Sequence, residues 1–263
     1  MSAREINDDL KKRGFALIRN CISKNEIFLL KKLCKKYYNS SYLRKVKKPR
    51  SSKHSLNDPR EDQIVYNLQN KDYKFIKLAT NQKILSAVNN YFSHGAYQES
   101  EHLIFHQLTA RSPISFGKNQ SLHIDSRLPG LSFPIKVVVT VMLEDFTIQN
   151  GATRLIPGSH LYKRFPNSRD ELSKKIKYVT GKEGDVLILD GGIWHAGSKN
   201  STFNSRWSIL ITFVRWYIKQ AFDMPNSIPA SILKKCNNVQ KNLLGIPSVP
   251  PLDEFDRINA IKN

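Results

Sequence analysis

Apolar and polar positions alternate at two different periods along this chain. Up to about residue 96 the spacing is helical. Ile6 and Leu10 share one face of a short amphipathic helix that Gly14 ends, and Phe15-Ala16-Leu17-Ile18 follows as a strand. Ser23-Lys24-Asn25-Glu26 has the capping-box pattern and predicts a helix with Ile27, Leu30, Leu33, Cys34 and Tyr37 on its apolar face. Lys31, Lys32, Lys35 and Lys36 fall largely on the other face. A second helix is predicted over 81–92, with Ile84, Leu85, Val88 and Phe92 inward.

From about residue 97 the texture becomes that of strands. Leu103 to Phe105, Ile135 to Leu143, Ala152 to Ile156, Val186 to Leu189 and Trp207 to Tyr217 are apolar runs bounded by Gly, Pro, Asn and Asp. Several strands after a helical opening predict an α+β, mostly β chain. Its core would be a sandwich or barrel of the jelly-roll type with the N-terminal helices packed on one face. The proline-bearing tail after about 219 is expected to wrap the surface with a short helix near 229–242. No linker interrupts the chain, so 1–263 reads as one decorated domain: helical to about 96, β from about 97 to 218, then a C-terminal extension.

Composition narrows the class. The chain has 263 residues, 40% hydrophobic and 24% charged, as expected of a soluble globular protein. No apolar run approaches the ~20 residues of a membrane span, and MSAREINDDLKK lacks the apolar core of a secretory signal. Three cysteines without a C-x-x-C fit a reducing compartment, so a cytoplasmic location is expected. The formal net charge is +20, and residues 1–60 hold 17 Lys+Arg against 5 Asp+Glu. Residues 44–53 alone carry six basic side chains. That segment reads as a solvated loop, as a docking arm, or as a lid over an anionic substrate. No nucleic-acid motif accompanies it.

The histidines carry the chemistry. His102 and His106 would share a strand face but lie about 13 Å apart, too far for one metal; a polar substrate contact is open to them. His123-Ile124-Asp125 differs, because on an extended segment the imidazole and the carboxylate point the same way and can meet one cation. His195, at the mouth of the buried run Val186 to Leu189 and its Gly191-Gly192 turn, is the best third ligand. Two histidines and one carboxylate leave three positions open, the arrangement suited to non-haem Fe(II) that must also hold a co-substrate and O₂. Arg206 and Ser208 share a strand face, and a guanidinium beside a hydroxyl suits the far carboxylate of a dicarboxylic acid.

In this order the pieces resemble the phytanoyl-CoA dioxygenase family of Fe(II)- and 2-oxoglutarate-dependent oxygenases. The resemblance rests on His123-x-Asp125, Glu144-Asp145-Phe146-Thr147-Ile148-Gln149-Asn150-Gly151-Ala152-Thr153, Ile156-Pro157-Gly158-Ser159-His160, Gly184-Asp185, Trp194-His195 and Arg206. With the opening from Leu10 to Leu33 it covers about residues 5 to 217. It implies a cupin-like double-stranded β-helix that binds Fe(II) through His123, Asp125 and His195. It also implies that Arg206, Ser208 and Thr140 hold 2-oxoglutarate; Thr140 or a neighbouring Val stands where many relatives carry an aromatic residue. His160 is structural by the same resemblance. Asp125 occupies the position that halogenating relatives give to a small residue, so the resemblance implies hydroxylation or a related oxidation.

The implied reaction hydroxylates a C–H bond of a small, anionic or carrier-linked metabolite, using O₂ and releasing succinate and CO₂. Sequence proximity to the triad adds His102, His106, Arg111 and Arg127 as substrate contacts. Two other readings stay open: an oxygenase acting on protein or nucleic acid, and a non-oxidative metal-binding barrel. Oligomeric state is not legible.

Overall fold

The computed structural model describes residues 2–40, 62–95 and 103–256. The basic segment 44–53 and His102 lie outside the described residues. In chain order the elements are α1 (Ala3–Arg13), β1 (Phe15–Ile18), α2 (Lys24–Asn39), β2 (Asp62–Val65), α3 (Tyr73–Ala79), α4 (Gln82–Phe92), β3 (Leu103–Pro113), β4 (Lys136–Met142), β5 (Thr153–Leu155), β6 (Lys177–Val179), β7 (Val186–Asp190), β8 (His195–Gly197) and β9 (Ser208–Arg215). The tail adds α5 (Met224–Ser227), α6 (Ala230–Leu233) and α7 (Asn238–Leu243), three short turns of helix in place of the single one expected.

Six strands form one antiparallel sheet in the order β1-β7-β4-β9-β3-β2, and three form a second in the order β6-β5-β8. The facing pair is a double-stranded β-helix. Both edge strands of the large sheet come from the N-terminal third, so that part frames the barrel as well as covering it. α3 is not visible in the hydrophobic period, because its seven residues make barely two turns. The α2 cap is half of the expected box: the Ser23 hydroxyl accepts from the Glu26 amide, with no return bond.

Strand alternation divides the large sheet into two faces. Phe105, Leu108 and Ala110 of β3, Val137, Val139 and Val141 of β4, and Ile209, Ile211 and Phe213 of β9 join the helices in one apolar core. Ile6 and Leu10 of α1, Ile27 and Leu30 of α2, and Ile84 and Val88 of α4 pack into the same core. The opposite face meets the small sheet. Its β1-β7-β4 end is filled by Phe15, Val138, Met142, Leu187 and Leu189 against Phe146, Leu155 and Val179. The β4-β9-β3 end is left open and polar.

α1 is tied to this interior at its C-terminus. Gly14 takes the left-handed conformation, φ 78°, and any Cβ there would come within 2.6 Å of His160 Nδ1. His160 Nε2 lies 3.1 Å from the Lys11 carbonyl. That histidine bolts a helix end to the barrel.

Candidate active site

One cavity of about 140 Å³ opens on the polar end of the barrel. Among its lining residues are His123, Asp125 and His195, and also Arg206, Ser208, Arg111 and Asp62. Thr140 and Thr212 lie on its wall.

The histidine–carboxylate group is assembled by two short extended segments. His123 and His195 exchange both backbone hydrogen bonds, 3.0 and 3.1 Å, which brings their rings to 4.5 Å between centroids. Their neighbours Leu122, Ile124, Trp194 and Ala196 point the other way into a small apolar cluster. Alternation thus sends the ligand side chains inward. Each Nδ1 faces a carbonyl, Ser121 at 2.9 Å and Ile193 at 3.0 Å. A carbonyl only accepts, so Nδ1 carries the proton and Nε2 is left with its lone pair toward the cavity. His123 Nε2 lies 3.8 Å from Asp125 Oδ1 and His195 Nε2 lies 3.5 Å from Asp125 Oδ2. The three ligand atoms fall within 4.8 Å of one another, a spacing that one ion between them fits.

Asp125 is steered by its backbone. The amides of Asp125 and Ser126 both donate to the Gly191 carbonyl at 2.8 Å, and Lys136 Nζ donates to the Asp125 carbonyl at 3.2 Å. Gly191 must be glycine here, since a Cβ would lie 2.9 Å from both Cβ and the carbonyl of Lys136. The turn is held by buried Asp190, whose carboxylate accepts from Gly192 N at 2.6 Å and Tyr91 Oη at 2.8 Å. Burial pushes the Asp125 carboxyl up, but the field of His195, His123, Lys136 and Arg111 outweighs it and the net shift is down. Burial moves His195 down as well. Both shifts favour the deprotonated, metal-ready forms.

Behind the His123 segment stands a pair that sequence reading missed. Arg154 bonds Glu171 at 2.7 Å and the Gln120 carbonyl at 2.6 Å, and Glu171 accepts from the Leu122 amide at 2.6 Å. Nothing in local spacing links positions 120, 154 and 171. They meet only through the loop after β5.

Arg206 precedes β9 and is buried, 8% exposed. Its amide donates to the Ser112 hydroxyl at 2.9 Å, and its guanidinium stacks 4.0 Å over the Phe146 ring. Its Nε is buried without a hydrogen-bond partner among the described residues. Burial pulls the guanidinium down to about 10, Asp62 opposes that, and Arg111 adds to it. A buried cation with an unmet donor is costly in isolation, a cost that a carboxylate entering the cavity would offset. The Ser208 hydroxyl lines the cavity and donates to the Arg111 carbonyl at 3.3 Å.

The sequence-derived substrate contacts separate in space. Arg111 lines the cavity beside Ser208, its direct partner across the β3–β9 ladder, and forms an ion pair with Asp62. His106 sits where the β3–β9 register shifts, outside the cavity lining, and its Nδ1 is buried without a partner among the described residues. Burial, then Lys136 and Arg127, take it down to about 4, so it is neutral near pH 7. Arg127 is exposed in a left-handed conformation, φ 58°, also outside the lining. Among the described residues no helix is long and apolar enough to cross a membrane.

The sequence matches the family described as phytanoyl-CoA dioxygenase (PhyH) over residues 10–208. Dioxygenase sphC of Aspergillus fumigatus is 32% identical over 108 residues, 41% of this chain and 29% of that protein. The chain spans less than two thirds of the length of the curated relatives it matches, from 29% to 60%. Among solved structures, HygX from Streptomyces hygroscopicus with nickel, 2-oxoglutarate and hygromycin B bound superposes with a TM-score of 0.65 at 14% identity. That match covers 82% of this chain and 89% of HygX. SnoN, a non-heme alpha-ketoglutarate-dependent epimerase from nogalamycin biosynthesis, superposes with a TM-score of 0.62 at 16% identity, covering 81% and 83% of the two chains.

Proposed function

The chain belongs to the phytanoyl-CoA dioxygenase family, and from that premise we propose that it is an Fe(II)- and 2-oxoglutarate-dependent dioxygenase that hydroxylates a C–H bond of a small metabolite. One observation carries the reading. The same cavity is lined by a two-histidine, one-carboxylate cluster and by a buried arginine whose Nε has no hydrogen-bond partner among the described residues.

His123, Asp125 and His195 would hold the metal through Nε2, a carboxylate oxygen and Nε2. Bound iron would supply the activation of O₂, coupled to decarboxylation of 2-oxoglutarate to succinate and CO₂. Arg206 anchors the distal carboxylate of the co-substrate and Thr140 lies on the wall beside it. The Phe146 face under the guanidinium keeps that end of the cavity dry, which strengthens the charge pairing. The carbonyls of Ser121 and Ile193 hold the two imidazoles in one tautomer, so the ligand atoms are preset before metal arrives.

The substrate is proposed to be anionic or carrier-linked, from the net charge of +20. Three buried free cysteines fit a cytoplasmic setting. The test is direct. Purified protein with Fe(II) and 2-oxoglutarate should form succinate and consume O₂, faster with an acceptor from a panel of anionic metabolites and carrier thioesters. Asp125→Ala should do neither. Succinate formation that survives in Asp125→Ala would refute the assignment of the triad.

A further inference from the structure

The connection between β5 and β6 touches both segments that carry the histidine ligands, on the side away from the cavity. Tyr162 meets the Trp194 ring edge-on at 5.1 Å, and the Arg164 guanidinium stacks 4.4 Å over the same ring. Trp194 is the residue before His195. Arg164 also holds Asp170 through two hydrogen bonds of 2.8 Å. Asp170 and Glu171 lie in a 3-10 turn, Ser168–Leu172, and Glu171 accepts from the Leu122 amide at 2.6 Å. Leu122 is the residue before His123. The two histidines differ in how they are held. The His195 side chain is 11% exposed and that of His123 43%, so packing fixes the first, and the second depends more on its backbone.

That backbone lies along the free side of β8, the last strand of the small sheet, joined to it by the paired bonds between His123 and His195. Successive amides of an extended chain point to opposite edges, so the Leu122 amide turns away from β8. Among the described residues no strand of the sheet lies there to receive it; the Glu171 carboxylate takes that place. Arg154 fixes the carboxylate, pairing with it at 2.7 Å while donating to the Gln120 carbonyl at 2.6 Å. Arg154 is buried at 8% exposure and stands opposite Ala196 in the β5–β8 ladder. Its side chain therefore crosses β8 over a methyl group to reach the His123 segment. Resting on the functional reading above, we propose that Glu171 is a positioning residue for the His123 ligand, with Arg154 fixing the carboxylate through which it acts. The brace orders the His123 segment in advance, so ordering it is not a cost of metal binding.

The experiment reads metal affinity, not turnover. The metal-free protein is titrated with Mn(II) by calorimetry, at a temperature where each variant is folded by circular dichroism. Glu171→Ala should weaken Mn(II) by about 10- to 100-fold. Glu171→Gln keeps an acceptor for the Leu122 amide and gives up the charge pairing, so it should recover part of that loss. Arg154→Met should weaken Mn(II) by about 3- to 10-fold, the loss expected of one hydrogen-bonded partner, and carries the test if Glu171→Ala does not fold. Asp185→Asn, which loosens the fold away from both histidine segments, is the control and should leave Mn(II) affinity unchanged. No Mn(II) binding by the unmodified protein, or undiminished binding by Asp125→Ala, overturns the functional reading and this proposal with it. Undiminished affinity in Glu171→Ala, or in Arg154→Met where that variant stands in, with Asp125→Ala impaired, overturns this proposal alone. So does an equal loss in Asp185→Asn, which would make the effect one of overall stability. Absence of any recovery in Glu171→Gln would overturn the role given to the Leu122 amide.

Discussion

The two faces of the large sheet are built from the same strands and differ by one residue of phase. On β9, Ile209, Ile211 and Phe213 enter the helix-covered core, while Ser208, Leu210 and Thr212 line the cavity. On β3, Leu108 and Ala110 face the core while Gln107 and Arg111 face the cavity. One face is continuous apolar packing against the helices. The other concentrates histidines, carboxylates and arginines around one cavity. Stability therefore resides in the first face and binding in the second, a separation that period-two alternation makes available to any strand.

This division can be broken most sharply at Asp125. Asp125→Ala should abolish activity and weaken metal binding by more than about a hundredfold, while the melting midpoint of the metal-free protein changes by an amount equivalent to less than about 1 kcal/mol. Metal titration with and without denaturation scans checks both halves. The mirror experiment is Phe213→Ala. Its ring is fully buried and lies 5.3 Å from that of Phe105, so about 3–5 kcal/mol of stability should be lost. At a temperature where the variant is folded, its affinity for 2-oxoglutarate should stay within about threefold of the unmodified protein, since a strand that remains folded keeps its facing side chains aligned.

A smaller effect tests a region that belongs to neither face. Asp185 accepts from the amides of Asn20 and Lys182, both at 2.9 Å, and from Arg19 at 2.6 Å, pinning the turn before β7 to the chain after β1. Burial pushes this carboxyl up, but those donors outweigh it and hold it below the usual carboxylate range. A depressed folded value stabilises the fold above the unfolded pKa, and the contribution is lost as pH falls through the folded value. Asp185→Asn should thus cost about 1–3 kcal/mol near pH 7, and the gap to the unmodified protein should close on acidification below about pH 4. Unfolding curves at three pH values suffice. The smallest change is expected at Thr140, on the cavity wall. Thr140→Val should shift stability by less than about 1 kcal/mol, and a larger loss would mean that this wall is part of the load of the fold.

Much of the fold was legible before any coordinates. Gly14, the run from Phe15 to Ile18, the helical period of Ile27, Leu30 and Cys34, and the strands at 135–143 and 207–217 all announce themselves locally, because burial of one face imposes its period on the chain. His123 and Asp125 are legible for the same reason: two residues apart on an extended segment, they share a side. The half-formed cap at Ser23 and the division of the tail into three short helices were not, since such details depend on what each segment packs against. Residues 44–53, the most charged stretch of the chain, lie outside the described residues, so their reading as lid, arm or loop rests on charge alone.

Sequence by itself thus determined the class of fold, the alternation that gives each strand a dry side and a wet side, and the identity of the candidate metal ligands. Only the tertiary structure decided which wet sides meet. The joining of His195 to His123, the carriage of Asp125 on the Gly191 carbonyl, and the convergence of Asp62, Arg111 and Arg206 all depend on strand order and register. Those are set by pairings between residues tens of positions apart, and a local period carries no information about such distances.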